Sequence, residues 1–224
     1  MAEDGARSLG VDVARFGEDE TVFVRIDGRR AQVADAYRGK DLMKTAGRIV
    51  RHVQGVRHFP VGIDDVGLGG GVTDRCREQN VDGIRALNAG ERALHSDDFA
   101  DLGSEMGWNL RTAFEETYRT VTEGAEDSSV GISIPDDPVL IHQLTARKYD
   151  YKSSGQIKIE SKAGMRARGE SSPDRADALA KRLVRAACQK QDVEPGQLTL
   201  HQDRGAPMTA KTFSQLLVDL DILA

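Results

Sequence analysis

The alternation of apolar and polar residues at the start of the chain predicts three β-strands, over residues 8–14, 20–27 and 30–37. A polar turn at 15–19 joins the first two strands. Asp27-Gly28, between the second and third, is typical of a tight hairpin, because both residue types accept positive φ angles. The first strand is apolar except for one carboxylate, Asp12, which makes this residue a candidate for a functional role.

The residues after these strands include apolar positions at helical spacing. Apolar residues recur three or four positions apart over 41–54, which predicts an amphipathic helix. Residues 61–64 are predicted to form a short buried strand, and the glycine-rich turn 67–71 leads into a helix that ends near residue 79. A further strand is expected over 82–87.

The second half of the chain is predicted to be mostly helical. An exposed loop is expected over 88–103. The later elements are a helix over 104–123, a helix near 139–146, a hairpin of residues 147–152 and 156–160, and a helix from Ser172-Pro173 to about residue 188.

Three antiparallel strands, a helix and a strand–helix–strand unit together predict a ribonuclease-H-like fold, an α/β fold with a mixed sheet flanked by helices. Because the crossover between parallel strands is right-handed, we expect the 61–64 strand beside the first strand. Asp12 and Asp64 would then lie side by side near the carboxyl ends of adjacent strands, where open α/β sheets place their sites.

Composition narrows the class of protein. The 224 residues are 39% hydrophobic and 30% charged, as in globular proteins. The net charge of −5 argues against coating nucleic acid by bulk charge, but it allows a local basic groove. No transmembrane helix or signal peptide is expected. Cys76 and Cys188 lack metal-ligand spacing and suit a reducing cytosol, and the five scattered histidines argue against a zinc site.

Acidic residues at three places are the candidate functional residues. They are Asp12, Asp64, and Asp174 with Asp177 at the start of the last predicted helix. Ionised carboxylates are rarely buried without a partner, so these positions favour a shared counter-charge such as a divalent metal ion. Plainer interpretations remain open. Asp12 would cap the following turn, Asp174 would be favourable charge at a helix N-terminus, and the turn 67–71 would be a tight connection rather than a phosphate cradle.

Basic residues concentrate near the predicted hairpin, with Tyr149 and Tyr151 among them and only Asp150 and Glu160 opposing their charge. The seven are Arg147, Lys148, Lys152, Lys158, Lys162, Arg166 and Arg168. A basic patch beside an acidic centre suits a phosphodiester substrate. The alternative is an ordinary solvated hairpin.

Five segments follow one another in a distinctive order. They are Gly-Val-Asp-Val-Ala-Arg-Phe-Gly-Glu-Asp-Glu-Thr-Val at 10–22, Gly-Ile-Asp-Asp-Val-Gly-Leu-Gly-Gly-Gly-Val at 62–72, Ile-Ser-Ile-Pro at 132–135, Ile-Glu-Ser-Lys at 159–162 and Ser-Pro-Asp-Arg-Ala-Asp-Ala-Leu at 172–179. Together they resemble the C-terminal nuclease domain of the large terminase subunit of tailed bacteriophages. The resemblance spans about residues 8–188, and we assign residues 1–188 to one nuclease domain.

The resemblance implies a metal-dependent endonuclease that cuts concatemeric phage DNA during genome packaging. It implies two Mg²⁺ or Mn²⁺ ions about 4 Å apart, bridged by Asp12, with Asp64 and Asp174 each holding one ion. By the same resemblance the third ligand is Asp174 or its near neighbour Asp177, and Asp65 and Asp177 are candidate assisting ligands. Asp64 fits the family's Asp-x-x-Gly pattern better than Asp65 does. Without metal, the clustered carboxylates should repel one another, so at least one should have a raised pKa.

Implied partners are double-stranded DNA, the small terminase subunit, the portal and an ATPase domain, in the cytoplasm of a bacterial host and without a membrane. Contacts to backbone phosphates are expected from Lys158, Lys162, Arg166 and Arg168. The sequence contains no Gly-x-x-x-x-Gly-Lys-Ser/Thr loop. We therefore expect the ATPase motor to be separate or lost, and no DNA translocation by this chain alone.

Residues 189–224 look unlike a terminase. From about residue 190 they resemble an internal piece of an insertion-sequence transposase of the retroviral-integrase type, in which Asp203 would match the second of three acidic residues. The positions of the first and third acids are missing, so no transposase chemistry is expected. We interpret this tail as read-through into an insertion element rather than as an independent domain.

Three other functions stay open on sequence alone. A sugar-kinase or actin-like ATPase would need a second glycine-rich phosphate loop in a duplicated domain, which this length does not supply. A Holliday-junction resolvase is another metal enzyme of the same fold class. The third is a truncated, catalytically inert terminase remnant that at most binds DNA or portal.

Overall fold

The computed structural model describes residues 7–14, 19–39, 41–56, 59–67, 69–124 and 131–189, with the backbone alone from residue 182 onward. Contacts group residues 1–186 into one compact unit and residues 187–224 into a second. The turn predicted at 15–19, apart from Asp19, lies outside the described residues. So does the predicted tail apart from Gln189, and its interpretation stays a prediction.

A five-stranded mixed sheet forms the centre of the first unit. Its strands are β1 (Arg7–Asp12), β2 (Thr21–Asp27), β3 (Arg30–Tyr37), β4 (Val61–Asp64) and β5 (Ile84–Leu87). Their spatial order is β3-β2-β1-β4-β5, with β1, β2 and β3 antiparallel and β1, β4 and β5 parallel. The mixed sheet and the position of β4 beside β1 confirm the predicted topology.

Six helices and a small hairpin surround the sheet in the described part of the chain. The helices are α1 (Leu42–Val53), α2 (Gly69–Glu78), α3 (Leu102–Thr122), α4 (Pro138–Ala146), α5 (Lys162–Ala167) and α6 (Asp174–Gln189), and the hairpin consists of β6 (Tyr149–Tyr151) and β7 (Ile157–Ile159). No helix among the described residues has the length and apolarity needed to cross a membrane.

The two faces of the sheet each carry a hydrophobic core, because side chains alternate across a strand. On one face, Leu9 and Val11 of β1 pack in a cluster that includes Ile49 of α1 and Val72 of α2. On the other face, a second cluster joins residues of β2 to α3, α4 and α6: Val22, Val24, Met106, Leu110, Leu140 and Leu179. Helices therefore cover both sides of the strands that carry Asp12 and Asp64.

Two glycines permit close backbone approaches near the ends of these strands. A Cβ atom at Gly62 of β4 would lie 3.0 Å from the carbonyl oxygen of Lys181, so the glycine lets α6 pack tightly on the sheet. A Cβ atom at Gly69 would lie only 1.5 Å from the carbonyl oxygen of Asp64. Together with Gly67 at a φ of 64°, this makes the glycine-rich turn a tight strand-to-helix connection.

The β6–β7 hairpin is held against the segment before α3. The backbone N–H of Ile157 donates to the carbonyl of Asp98 at 2.7 Å, and the N–H of Ala100 donates to the carbonyl of Ile157 at 3.0 Å. This segment includes the buried side chains of Ala93 and Phe99. The expectation of an exposed loop over 88–103 was therefore wrong at Ala93, Phe99 and Leu102, and α3 already begins at Leu102.

Candidate metal centre

Asp12 and Asp64 end two neighbouring parallel strands. Val11 of β1 lies opposite Ile63 of β4, so the residues that follow, Asp12 and Asp64, are level at the carboxyl ends. Val11 and Ile63 belong to the core on the α1 and α2 side. Alternation therefore directs both carboxylates to the opposite face, where α6 packs. The sequence prediction that these two residues lie side by side is met by this geometry.

One face of α6 supplies three more charged side chains. Asp177 and Lys181 follow Asp174 by three and seven residues, and these spacings place the three side chains on one side of the helix. Asp174 and Lys181 are each only 3% exposed. The helix thus delivers two acids and one base to the ends of β1 and β4.

Lys181 joins the two strand-end carboxylates. Its Nζ atom donates to Oδ1 of Asp12 and to Oδ2 of Asp64, the latter at 2.7 Å. A buried ammonium group is stable only when carboxylates surround it in this way, since desolvation of an unpaired charge is costly.

Lys162 connects Asp12 with the acids of α6. It is the first residue of α5, whose N-cap is Ser161. The Lys162 Nζ atom lies 2.9 Å from Oδ2 of Asp12, 3.0 Å from Oδ1 of Asp174 and 3.4 Å from Oδ2 of Asp177. With 31% of its side chain exposed, Lys162 sits at the solvent side of the cluster.

Further contacts fix the two acids of α6. The backbone N–H of Glu20 donates to Oδ2 of Asp174 at 2.7 Å, and the hydroxyl of Ser172 donates to Oδ1 of Asp174 at 2.5 Å. Arg147 donates to Oδ1 of Asp177. These partners hold the carboxylates in place without any contribution from a metal ion.

Burial and charge act in opposite directions on the pKa values of this cluster. Burial alone would raise the pKa of the Asp12 carboxyl, but the ammonium groups of Lys181 and Lys162 outweigh it and hold that pKa well below its usual range. Burial raises the pKa values of Asp64 and Asp174, with Asp12 adding to the rise and the lysines only partly opposing it. Burial would lower the pKa of each lysine, but the carboxylates, led by Asp12, raise both. The expected raised carboxyl pKa is therefore present.

The donor set suits a hard divalent cation. The oxygens of Asp12, Asp64 and Asp174 converge on two points of positive charge, and carboxylates are the ligands that Mg²⁺ and Mn²⁺ prefer. The two points hold the ammonium groups of Lys181 and Lys162. With the side chains in this arrangement, no three His, Cys, Asp or Glu residues in the described part of the chain form a group that could hold a metal ion. Asp65 has a buried Oδ1 atom without a hydrogen-bond partner among the described residues.

The basic residues expected to contact DNA are paired with acids. Lys158 contacts Asp101, and Arg166 lies 2.5 Å from Asp19. Arg168 lies 2.8 Å from Glu160, whose pKa falls to about 2, chiefly through the Arg168 hydrogen bond. Lys162 belongs to the carboxylate cluster described above. Nothing in these contacts tests DNA binding, and the four assignments stay predictions.

Aromatic side chains of the hairpin are exposed beside α3. Tyr149 contacts Trp108 edge to face, with ring centroids 5.1 Å apart, and Tyr149 and Tyr151 are arranged in the same way at 6.0 Å. Arg111 lies over the Trp108 ring at 4.6 Å. Both tyrosines are exposed on the protein surface.

Lys181 is the cluster residue that sequence reasoning missed. Its position four residues after Asp177 and seven after Asp174 is the signal that could have found it, because those spacings share a helix face. The α5 helix was also missed. It is six residues long and buries only Met165, so it leaves no apolar periodicity in the sequence.

Comparison with solved structures relates the fold of this chain to that of known nucleases. The chain is similar to the nuclease domain of the large terminase subunit gp2 of bacterial virus Sf6, with a TM-score of 0.66 and 20% identity over 79% of this chain and 87% of that one. A mutant of that domain with manganese and β-thujaplicinol gives a TM-score of 0.69 at 19% identity and the same coverage. The large terminase nuclease from thermophilic phage G20c with bound magnesium gives 0.54 at 17% identity, covering 80% and 81% of the two chains.

These similarities come from comparing three-dimensional structures. No protein-family profile and no curated protein matches the sequence. At identities of 20% or less, the likeness establishes the fold. The chain therefore has the ribonuclease-H-like α/β fold of phage large-terminase nuclease domains.

Proposed function

We propose that this protein is a divalent-metal-dependent DNA endonuclease of the phage terminase type. The observation that carries the proposal is the convergence of Asp12, Asp64 and Asp174 at the carboxyl ends of adjacent parallel strands. In a fold shared with terminase nucleases, this is a buried set of hard oxygen ligands around positive charge. The magnesium and manganese in similar terminase nuclease structures support the same metal class.

Asp12, Asp64 and Asp174 would hold the metal, with Asp65 and Asp177 as neighbouring acids. When bound, Mg²⁺ or Mn²⁺ lowers the pKa of a coordinated water and neutralises charge that develops on the phosphodiester. The chain's own residues supply rigidity. Ser172 and the backbone of Glu20 fix Asp174, and strand pairing fixes the other two carboxylates.

Lys162 has a second role in this proposal. Its ammonium group lies at the exposed side of the cluster, so it is placed to attract the phosphate of an approaching DNA strand. Lys158, Arg166 and Arg168 are proposed as further phosphate contacts. Since each now pairs with a carboxylate, DNA would have to replace those surface pairs, which are individually weak.

The proposed substrate is concatemeric double-stranded phage DNA during genome packaging. The proposed partners are the small terminase subunit, the portal and a separate ATPase domain, in the cytoplasm of the bacterial host. The similar solved structures support the terminase context, because each is a large-terminase nuclease domain.

Nicking of supercoiled plasmid by the full chain tests this proposal. Cleavage is expected with Mg²⁺ or Mn²⁺ and is expected to stop with EDTA. Asp12→Asn or Asp64→Asn should lower the rate by about a hundredfold or more, because metal-assisted stabilisation of a transition state is worth several kcal/mol. Asp74→Asn is the matched control, since Asp74 is 74% exposed on α2.

Three outcomes would contradict the proposal. Cleavage that persists in EDTA would exclude metal dependence. A folded protein that cuts nothing with either metal would favour the inert terminase remnant. Cleavage confined to four-way junctions would favour the resolvase.

A further inference from the structure

We propose that the Lys181 ammonium group permanently fills one of the two cation positions in the carboxylate cluster, so that this chain binds one divalent ion rather than two. The inference rests on the proposed metal-dependent nuclease function and specifies its metal content. It departs from the pair of ions that the terminase resemblance implies.

The two oxygens of Asp12 define the two cation positions. Oδ1 accepts from Lys181, which also contacts Asp64 at 2.7 Å. Oδ2 accepts from Lys162 at 2.9 Å, and Lys162 also contacts Asp174 at 3.0 Å. Lys181 thus lies between Asp12 and one other carboxylate, and Lys162 lies between Asp12 and the two acids of α6, Asp174 and Asp177. This is the arrangement expected for a pair of metal ions bridged by Asp12.

The two lysines differ in how readily they could leave. Lys162 is 31% exposed and belongs to a six-residue helix at the surface. Its long side chain can turn into water without losing solvation, because an exposed ammonium is well hydrated. The position between Asp12 and Asp174 can therefore be opened to a metal ion by a side-chain movement.

Lys181 has no such path. Its side chain is 3% exposed, and the residues before it on α6, Leu179 and Ala180, belong to the buried core. The carbonyl of Lys181 lies against Gly62 of β4, which fixes the backbone from which the side chain extends. Moving the ammonium away from Asp12 and Asp64 would leave it buried without a counter-charge, at a high cost in desolvation.

Electrostatics therefore closes the position between Asp12 and Asp64. A divalent ion entering beside a fixed Lys181 ammonium would meet a positive charge and would share the same two carboxylates with it. The remaining position, between Asp12 and Asp174 with Asp177 nearby, has only the partly exposed Lys162 to displace. One metal ion held by Asp12 and Asp174 and one ammonium held by Asp12 and Asp64 then occupy the cluster, so that Asp64 anchors Lys181 instead of holding a second ion.

Manganese binding by the full chain tests this inference. Calorimetric titration should give one Mn²⁺ per chain, and electron paramagnetic resonance at saturation should give the signal of an isolated ion. Two ions about 4 Å apart would instead give a magnetically coupled signal. Lys181→Met should bind a second ion. Lys162→Met should still bind one ion, with higher affinity because no ammonium has to be displaced. Lys44→Met, on the exposed face of α1, is the matched control and should leave stoichiometry unchanged.

The wild-type measurement decides the inference even if Lys181→Met does not fold. Two coupled ions on the wild-type chain would overturn it, and so would a folded Lys181→Met protein that still takes one ion. Failure of the nuclease proposal has a different signature. One bound ion without DNA cleavage keeps the inference and removes the enzyme, whereas two bound ions with cleavage keep the enzyme and remove the inference. A chain that binds no Mn²⁺ overturns both.

Discussion

Replacing Asp12 by Asn should destabilise this protein, although removing an acid from an acidic cluster ordinarily relieves repulsion. Asp12 is 2% exposed, and its two oxygens face different ammonium groups, Lys181 and Lys162. The substitution keeps the shape and one acceptor but removes the charge. Lys181 then keeps only its contact with Asp64, and Lys162 keeps its contacts with Asp174 and Asp177.

The size of the effect follows from the buried ion pairs. Removing one partner of a buried pair costs about 3–5 kcal/mol, because the other charge stays buried and less compensated. We expect about 3 kcal/mol here, near the lower limit, since Asp64 still contacts Lys181 and Asp174 still contacts Lys162. For a domain of this size that loss lowers Tm by about 6–12 °C.

Urea and thermal unfolding of the metal-free full chain in EDTA would measure this loss, with Asp74→Asn as the exposed control. Because the folded pKa of Asp12 is depressed, its contribution is present above the unfolded value of 3.8 and is lost as pH falls through the folded pKa. The difference should therefore stay constant from pH 8 down to about pH 5. An Asp12→Asn protein as stable as the wild type, or more stable, would refute the argument that the lysines dominate.

Two further predictions concern packing and pH. Gly62→Ala should cost about 1–2 kcal/mol in urea unfolding, because its Cβ would meet the Lys181 carbonyl at 3.0 Å and force α6 outward. His95→Gln should lose stability mainly at acid pH. The hydrogen bond to buried Glu105, at 2.6 Å, raises the pKa of His95. That stabilisation is complete below the unfolded value of 6.5 and disappears as pH rises through the folded pKa.

Each of these predictions has a direct check. For Gly62→Ala, Gly47→Ala is the matched control, because a Cβ at Gly47 would meet nothing within 4 Å. Equal effects at the two glycines would contradict the close-approach argument. For His95→Gln, urea midpoints of variant and wild type should differ most at pH 5.5 and least at pH 8.5. A difference that does not change with pH would show that His95 stabilises the fold only by packing.

The fold could be predicted from sequence because its signals are local. The strands carry short apolar runs or apolar–polar alternation, and Asp27-Gly28 marks the β2–β3 hairpin, so the place of β4 beside β1 followed from chain order and handedness. Asp12 and Asp64 could be placed together for the same reason, since parallel neighbours align their carboxyl ends.

The balance of charge in the site could not be predicted in the same way. Lys162 was assigned to DNA because it lies in a basic stretch, yet its amine contacts three carboxylates, one of them 150 positions away in sequence. Lys181 was missed because a lysine near the middle of a helix usually faces solvent. Its spacing from Asp174 and Asp177 shows that the three share a helix face, but the packing of that face on Gly62 of β4 is a long-range contact without a local signature.

The ion pairs between β1 and the end of the domain also bear on how the protein is made. Asp12 and Lys181 are 169 positions apart, and Asp12 and Lys162 are 150 apart. Synthesis proceeds from the N-terminus, so β1 and β4 leave the ribosome well before α5 and α6 exist. Until α5 and α6 dock, the acids of those strands have neither Asp174 nor the two lysines beside them. The complete cluster is thus assembled only after residue 181 has emerged, and no nascent chain shorter than 174 residues can carry all three acids of the proposed metal centre.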